Sequence, residues 1–340
     1  MDSSDVNALH VAVSDHDVER LKMLVENLSS EEIVAVEEDG WNLLHLAAAN
    51  GAVDCVRFLV GKLDSEQILS RKKTDAGWNA LHFAAGFGHV DSVKIMVEKL
   101  SSEQISRQCE EGTTALHQAA RKGHEKVVKV LIEKMSPQQI DLQAKKCPTA
   151  LHLAAENGHA GCVQLLIENA SSDVMQVARS MTPLFLAAQN GHVECVSVLV
   201  AKFGREQIAR KNADGWTSLH IASQNGHLEC VKLLVQKLSA EQIACPSHDG
   251  RTPLHQAAKN GNGACVEFLA NIQSLEQISV AENGGWTPLH MAAHFGHFDC
   301  CRILLHKGAN RFANSRPWFP FLGQTPASVA KTDLIRELLK

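Results

Sequence analysis

The sequence predicts an all-α fold, a helical solenoid of stacked helix-turn-helix copies joined by β-hairpin-like fingers. Three observations predict it. A segment of about 35 residues recurs along the 340-residue chain, most plainly as GWTPLHMAAHFGHFDCCRILL over 285–305, GWTSLHIASQNGHLECVKLLV from Gly215 and GWNALHFAAGFGHVDSVKIMV from Gly77. Each segment carries two apolar stretches with helical rather than alternating spacing. One glycine separates the two stretches, and another opens most segments. A block this short cannot bury its own apolar face, so the copies must stack on one another.

The histidine of a Leu-His pair serves as ruler. It stands at His10, His45, His82, His117, His152, His220, His255 and His290, with Phe185 and Ser328 filling two further slots, which makes ten copies. Three residues before the ruler come Asn7, Asn42, Asn79, Thr114, Thr149, Thr182, Thr217, Thr252, Thr287 and Thr325. Asn and Thr there read as N-caps, whose side-chain oxygen accepts from the free amides of a helix start. Pro183, Pro253, Pro288 and Pro326 follow four of them, at the first helical position where no amide is needed. Alanine pairs such as Ala84-Ala85 and Ala257-Ala258 let the next helix approach closely. Gly51, Gly88, Gly123, Gly158, Gly191, Gly226, Gly261 and Gly296 then end this first helix as left-handed C-caps.

A second helix follows at once. Cys230, Val231, Leu234, Val235 and Leu238 mark its buried face in one copy, and Cys195, Val196, Leu199, Val200 and Phe203 hold the same slots in the copy before. Asp39-Gly40, Asp214-Gly215, Asp249-Gly250 and Gly284-Gly285 lie between copies, and Asp-Gly favours hairpin turns with positive φ.

These residues bring a known pattern into view. The run G-x-T-P-L-H-x-A-A-x-x-G-H resembles the ankyrin repeat, and the resemblance covers nearly the whole chain. It implies a protein-binding solenoid whose finger tips and first helices line a concave surface. The family unit has about 33 residues and ends in a G-A-D-x-N-A-like loop. This chain departs from it by inserting LDSEQI at Leu63–Ile68, LSSEQI at Leu100–Ile105, MSPQQI at Met135–Ile140 and LSAEQI at Leu238–Ile243. In MSPQQI, Ser136 is an N-cap, Pro137 the first helical residue and Gln139 the capping-box partner. The insert therefore reads as a short extra helical turn whose Ile packs back on the body. It serves either as a spacer or as a partner-facing ridge.

Both ends and the middle are irregular. Residues 1–35 form an N-terminal capping repeat with SDHDVERL in place of the Gly-His corner, 36–305 are internal repeats, and 306–340 are a C-terminal loop and capping repeat of the single array 1–340. The sixth copy lacks the EQI insert and the finger glycine, which points to a kink or to simple drift. HKGANRFANS, 306–315, returns to the ordinary loop, and an insertion with Trp318, Phe319 and Phe321 follows.

Composition and motifs narrow the function. A formal charge of −5 leaves no basic footprint for nucleic acid. No apolar run is long enough to span a membrane, and MDSSDVNALH has neither the basic nor the apolar part of a secretory signal. Cys55, Cys162, Cys195, Cys230, Cys265 and Cys300 share one apolar slot. Thiols spaced a helix-packing distance apart, about 8–10 Å, are too far for disulfides, which span at most about 7 Å. They read as reduced core residues; Cys109, Cys147, Cys245 and Cys301 lie off that slot. The Leu-His and Gly-His histidines read as structural ties between neighbouring copies. His294, His297, Cys300 and Cys301 form the most tempting metal cluster, but Gly296 breaks the helix between the two histidines. No GxSxG nucleophile or GxxxxGK[ST] phosphate loop is present, so neither enzyme nor cofactor is expected.

The strongest functional signal lies one residue before the N-cap. Trp41, Trp78, Trp216 and Trp286, four of the five tryptophans, share that position. They pack between fingers or anchor a partner, since Trp is a favoured interface anchor. The helix-end slots before each Gly face the same way, among them Phe87, Arg121 with Lys122, and Phe295. Expected partner-binding residues are Trp41, Trp78, Phe83, Phe87, Arg121, Lys122, Trp216, Trp286, Met291, Phe295 and, in the C-terminal insertion, Trp318. The expectation is a monomeric, non-enzymatic scaffold in the cytoplasm or nucleus that binds protein partners. Two alternatives are an adaptor that brings a partner to an enzyme and an effector of an intracellular microbe that binds host proteins.

Overall fold

Each copy builds itself from local hydrogen bonds before it meets its neighbours. In the computed structural model, which describes residues 3–34, 40–71, 77–145, 149–171, 181–315 and 323–340, the third copy shows the plan. Its first helix is Ala80–Phe87, its second Val90–Val97, and a short third one is Ser102–Ile105. Helices are the only regular elements among the described residues. They form two compact units, Met1–Val177 and Ala178–Lys340. Within each unit the first helices of successive copies pack in one row and the second helices in another.

The first helix starts on a capping box of unusual composition. Asn42, Asn79, Thr114, Thr182, Thr252 and Thr287 each accept, through the side chain, the amide three residues on. The return bond, which Glu or Gln normally accepts, goes to the ruler histidine: the amides of Thr114, Thr217, Thr252 and Thr287 donate to Nδ1 of His117, His220, His255 and His290 at 3.1–3.2 Å. Thr149 has no such cap bond and contacts His152 Nδ1 through its hydroxyl at 2.8 Å.

One expected cap is wrong. Asn7 lies inside the helix Ser3–Ser14, which begins four residues earlier. No Gly or Pro interrupts Ser3 to Asn7, and Asp5 in the first turn suits the positive end of the helix dipole. The missing Gly-His corner of this copy is replaced in kind. His16 takes the left-handed conformation with φ 60°, and Asp17 caps the next helix by accepting the Arg20 amide at 2.9 Å.

The glycine that ends each first helix does two things. Gly51 adopts φ 68° as a left-handed cap, and a Cβ on it would lie 2.4 Å from Nδ1 of His89 in the next copy. The corner histidine needs that space because its Nε2 donates back to a carbonyl of the preceding copy. His89, His124, His159, His227 and His297 reach Ala49, Gly86, Arg121, Gln189 and Lys259 at 2.9–3.1 Å.

Fingers are hairpin-like but not of the two-residue Asp-Gly kind. The Asn212 amide donates to the Trp216 carbonyl at 2.8 Å and the Gly215 amide to the Asn212 carbonyl at 3.0 Å. Only the glycine has positive φ, 80° at Gly215, so a type I turn closed by a left-handed Gly forms instead. Consecutive fingers touch backbone to backbone: His248 N–H donates to the Asp214 carbonyl and Asn283 N–H to that of Asp249, both at 3.1 Å.

The inserted motif is a helical turn in each copy where it is described. Ser30–Ile33, Ser65–Ile68, Ser102–Ile105, Pro137–Ile140, Arg205–Ile208, Ala240–Ile243 and Leu275–Ile278 each end on a buried Ile. The boxed Gln also binds the copy before it. Gln67 Nε2 donates to Ser30 Oγ at 3.0 Å and Gln104 Nε2 to Ser65 Oγ at 2.9 Å, so the short helices are stitched into a row of their own.

The nine described cysteines are free thiols. Burial pushes Cys195, Cys230, Cys265 and Cys300 up to about 11 and Cys301 to about 12. Cys147, most of the sixth connection (172–180) and the aromatic insertion with Trp318, Phe319 and Phe321 lie outside the described residues.

Candidate docking surface

The finger leads directly into the first helix, so the residue before each N-cap stands over the start of that helix. Trp78, Trp216 and Trp286 lie against the ruler histidines His82, His220 and His290, with ring centroids 6.0–6.3 Å apart and planes within 30° of parallel. Each indole is half-buried, with one face on the protein. The tie to the histidine is a packing role, and it leaves part of each ring accessible.

The histidines beneath are fixed. With Nδ1 accepting the cap amide, the proton sits on Nε2, which donates to the finger of the next copy. His82, His220, His255 and His290 reach the carbonyls of Thr113, Arg251, Trp286 and Gln324 at 2.8–3.1 Å. Burial pushes His82, His117, His220 and His255 down to about 4 and lowers His290 as well. These rings are neutral structural ties, not acid-base groups tuned to neutral pH.

In unit 1 the structure brings Trp41, Trp78 and Phe83 together. Phe83 lies 4.6 Å from the Trp41 ring, in the preceding copy, and 5.4 Å from that of Trp78. It is only 4% exposed and forms the base of the patch, not its surface. Phe87 is 58% exposed. Arg121 and Lys122, in the last turn of Ala115–Lys122, are exposed and have no ion pair among the described residues.

Unit 2 holds a second patch. Trp286 meets His294 edge-on at 4.9 Å, and His294 meets Phe295 at 5.1 Å. Met291, 3% exposed, again forms the base, while Phe295 is 39% exposed. Together with Arg251, Lys259, Glu282 and Gly284 these residues line a recess of about 280 Å³. Trp216, two copies away, stands apart from it, because Arg251 occupies the tryptophan slot in between. Sequence reading misses Arg251 and Glu282; the available signal was an Arg in the slot that holds Trp in the copies on either side, Trp216 and Trp286.

The residues of the tempting metal cluster are engaged elsewhere. His297 donates to Lys259, His294 packs on Trp286, and Cys300 and Cys301 are buried. Among the described residues no group of three or more His, Cys, Asp or Glu could hold a metal ion, and no helix is long and apolar enough to cross a membrane.

A family model described as ankyrin repeats (3 copies) matches the chain in five overlapping stretches, residues 1–71, 61–146, 135–207, 151–244 and 236–314. Among curated proteins no similar sequence was found.

Proposed function

Because the chain belongs to the ankyrin-repeat family, whose repeats are generally protein–protein interaction modules in typically non-enzymatic proteins, we propose that it is a monomeric binding scaffold. It holds protein partners on the face made by finger tips and first helices, and it acts in the cytoplasm or nucleus without catalysis, cofactor or nucleic acid. One observation carries the choice of face: four half-buried tryptophans share one repeated slot, and one of them, Trp286, lines a recess with the exposed Phe295. Apolar patches on a polar surface mark interaction sites, and Trp is a favoured anchor. The contact set is Trp41, Trp78, Phe87, Arg121, Lys122, Trp216, Trp286 and Phe295, with Phe83 and Met291 supporting it from below.

The test begins with affinity capture and identification of a partner. Trp78→Ala and Trp286→Ala are then compared with the natural chain for binding and melting. A hot-spot Trp loses about 2 kcal/mol or more, roughly 30-fold in affinity, while melting shifts little. If melting collapses and the folded fraction binds normally, the tryptophans are finger packing alone and the face is wrong.

A further inference from the structure

We propose that the recess in unit 2 takes a large apolar side chain of a protein partner that carries a carboxylate beside that side chain. The inference rests on the docking reading above and names the partner chemistry of one part of that face.

Size comes first. Small-molecule pockets run from about 300 to 1,000 Å³, and this recess, at about 280 Å³, lies just below that range. It suits a single anchoring side chain of the kind that dominates interfaces. Trp286, His294 and Phe295 wall it and Met291 closes its base, so the anchor is aromatic or large aliphatic.

Charge decides what stands next to the anchor. Three charged groups line the recess: Arg251, Glu282 and Lys259. The first two are compensated inside the fingers. Glu282 Oε1 accepts the Gly284 amide at 2.8 Å and the Trp286 amide at 3.4 Å, and Oε2 lies 3.8 Å from Arg251 Nε. Arg251 also pairs with Asp249 at 3.0 Å. The Asp249 carboxyl, raised by partial burial, still ends below its usual range because the Ser247 hydroxyl and the Arg251 cation favour the carboxylate. Asp249, Arg251 and Glu282 together carry one negative charge held within the fingers, and Lys259 is the charged group lining the recess that has no ion pair among the described residues.

The obvious competitor is a basic segment, since aromatic walls attract cations. That role is already filled. Lys259 Nζ sits 5.7 Å from the centroid of the Phe295 ring, and a second cation there meets like charge. A carboxylate on the partner meets an opposite charge held at the rim and poised over the aromatic wall.

Three synthetic peptides, acetylated and amidated, are the probes: SGFEGS, SGFKGS and SGAEGS. They are titrated to millimolar concentration into the full chain labelled with nitrogen-15, and the indole resonance of Trp286, assigned with Trp286→Phe, is followed. SGFEGS shifts that resonance and binds roughly tenfold more tightly than SGFKGS, about 1.4 kcal/mol, while SGAEGS leaves it in place. Lys259→Gln abolishes the preference and Lys259→Glu reverses it; because Lys259 is half-buried in the last turn of Pro253–Lys259, melting of each variant is measured alongside and the preference is read on the folded chain. The proposal is overturned if SGFKGS binds as well as SGFEGS, if the order survives in Lys259→Glu, or if no peptide moves Trp286. A captured partner that needs Trp286 but is indifferent to Lys259→Glu leaves the docking face standing and removes this inference alone.

Discussion

A histidine that closes a capping box gives this protein a pH dependence that Glu or Gln there would not. The ring must stay neutral, because its Nδ1 accepts an amide while Nε2, at His82, His220 and His255, donates to the next copy. His82, His117, His220 and His255 are held down to about 4 by burial, against about 6.5 in an unfolded chain. The unfolded state therefore binds protons first as pH falls. The stability is fully present above about 6.5 and is lost progressively toward 4, by about 1.4 kcal/mol per pH unit for each histidine. Urea midpoints measured at pH 7, 6 and 5 should fall steadily; a flat series would mean the rings titrate normally. The stability from the depressed carboxyls Glu32, Glu66, Glu241 and Asp249 is present above their unfolded value of about 4.3 or less and is lost only below it, so it stays nearly constant over this series. Glycines differ just as sharply by position. Gly61, inside the helix Val53–Lys62, has open space where a Cβ would go, so Gly61→Ala should stabilise by about 0.5–1 kcal/mol. Gly51→Ala meets both a left-handed backbone and the His89 ring and should cost more than about 1 kcal/mol. Thermal or chemical unfolding of the two variants should give opposite signs.

At the scale of an element, the inserted turn has two separable functions. Its Gln closes the turn's own box, and its amide nitrogen ties the turn to the copy before. Gln104→Glu keeps the first, since Glu32 closes the box of the first copy by accepting the Ser29 amide at 2.7 Å. It removes the donor to Ser65 and sets a carboxylate against Glu66, whose Oε1 lies 3.1 Å from Gln104 Nε2. A loss of about 1 kcal/mol follows, and Gln104→Ala, which also opens the box, should lose more. Equal stability of Gln104→Glu and the natural chain in urea would show that the tie between short helices contributes nothing.

For the whole molecule, stability is a sum over copies and the interfaces between them. Leu234 is fully buried in the second helix Leu228–Val235. Leu234→Ala should cost about 2–5 kcal/mol through lost burial and a cavity. Because each copy touches only its neighbours, the damage should appear first as faster amide exchange in that copy and those beside it. Exchange rising evenly over the chain, or not at all near Leu234, would contradict a local, additive build.

What could be read from the sequence was whatever closes over three to five residues. The cap pairs, the left-handed glycines, the SxEQI box and the cysteine slot are set by bonds and sterics within one copy, so residue type and spacing were enough. The first copy shows the limit of even that, since Asn7 matched the spacing and yet sits inside a helix that nothing stops from starting earlier. The ruler and corner histidines could be guessed as ties between copies, but their acceptors lie 25–40 residues away and depend on how far one copy is offset from the next. The same holds for the docking face. The shared tryptophan slot is visible in the letters, whereas the burial of Phe83 under Trp41 of another copy, the compensation of Arg251 by Glu282, and Lys259 left uncompensated beside Phe295 come from stacking. Sequence determines a copy because its bonds are local; only tertiary structure decides which side chains of different copies share a surface.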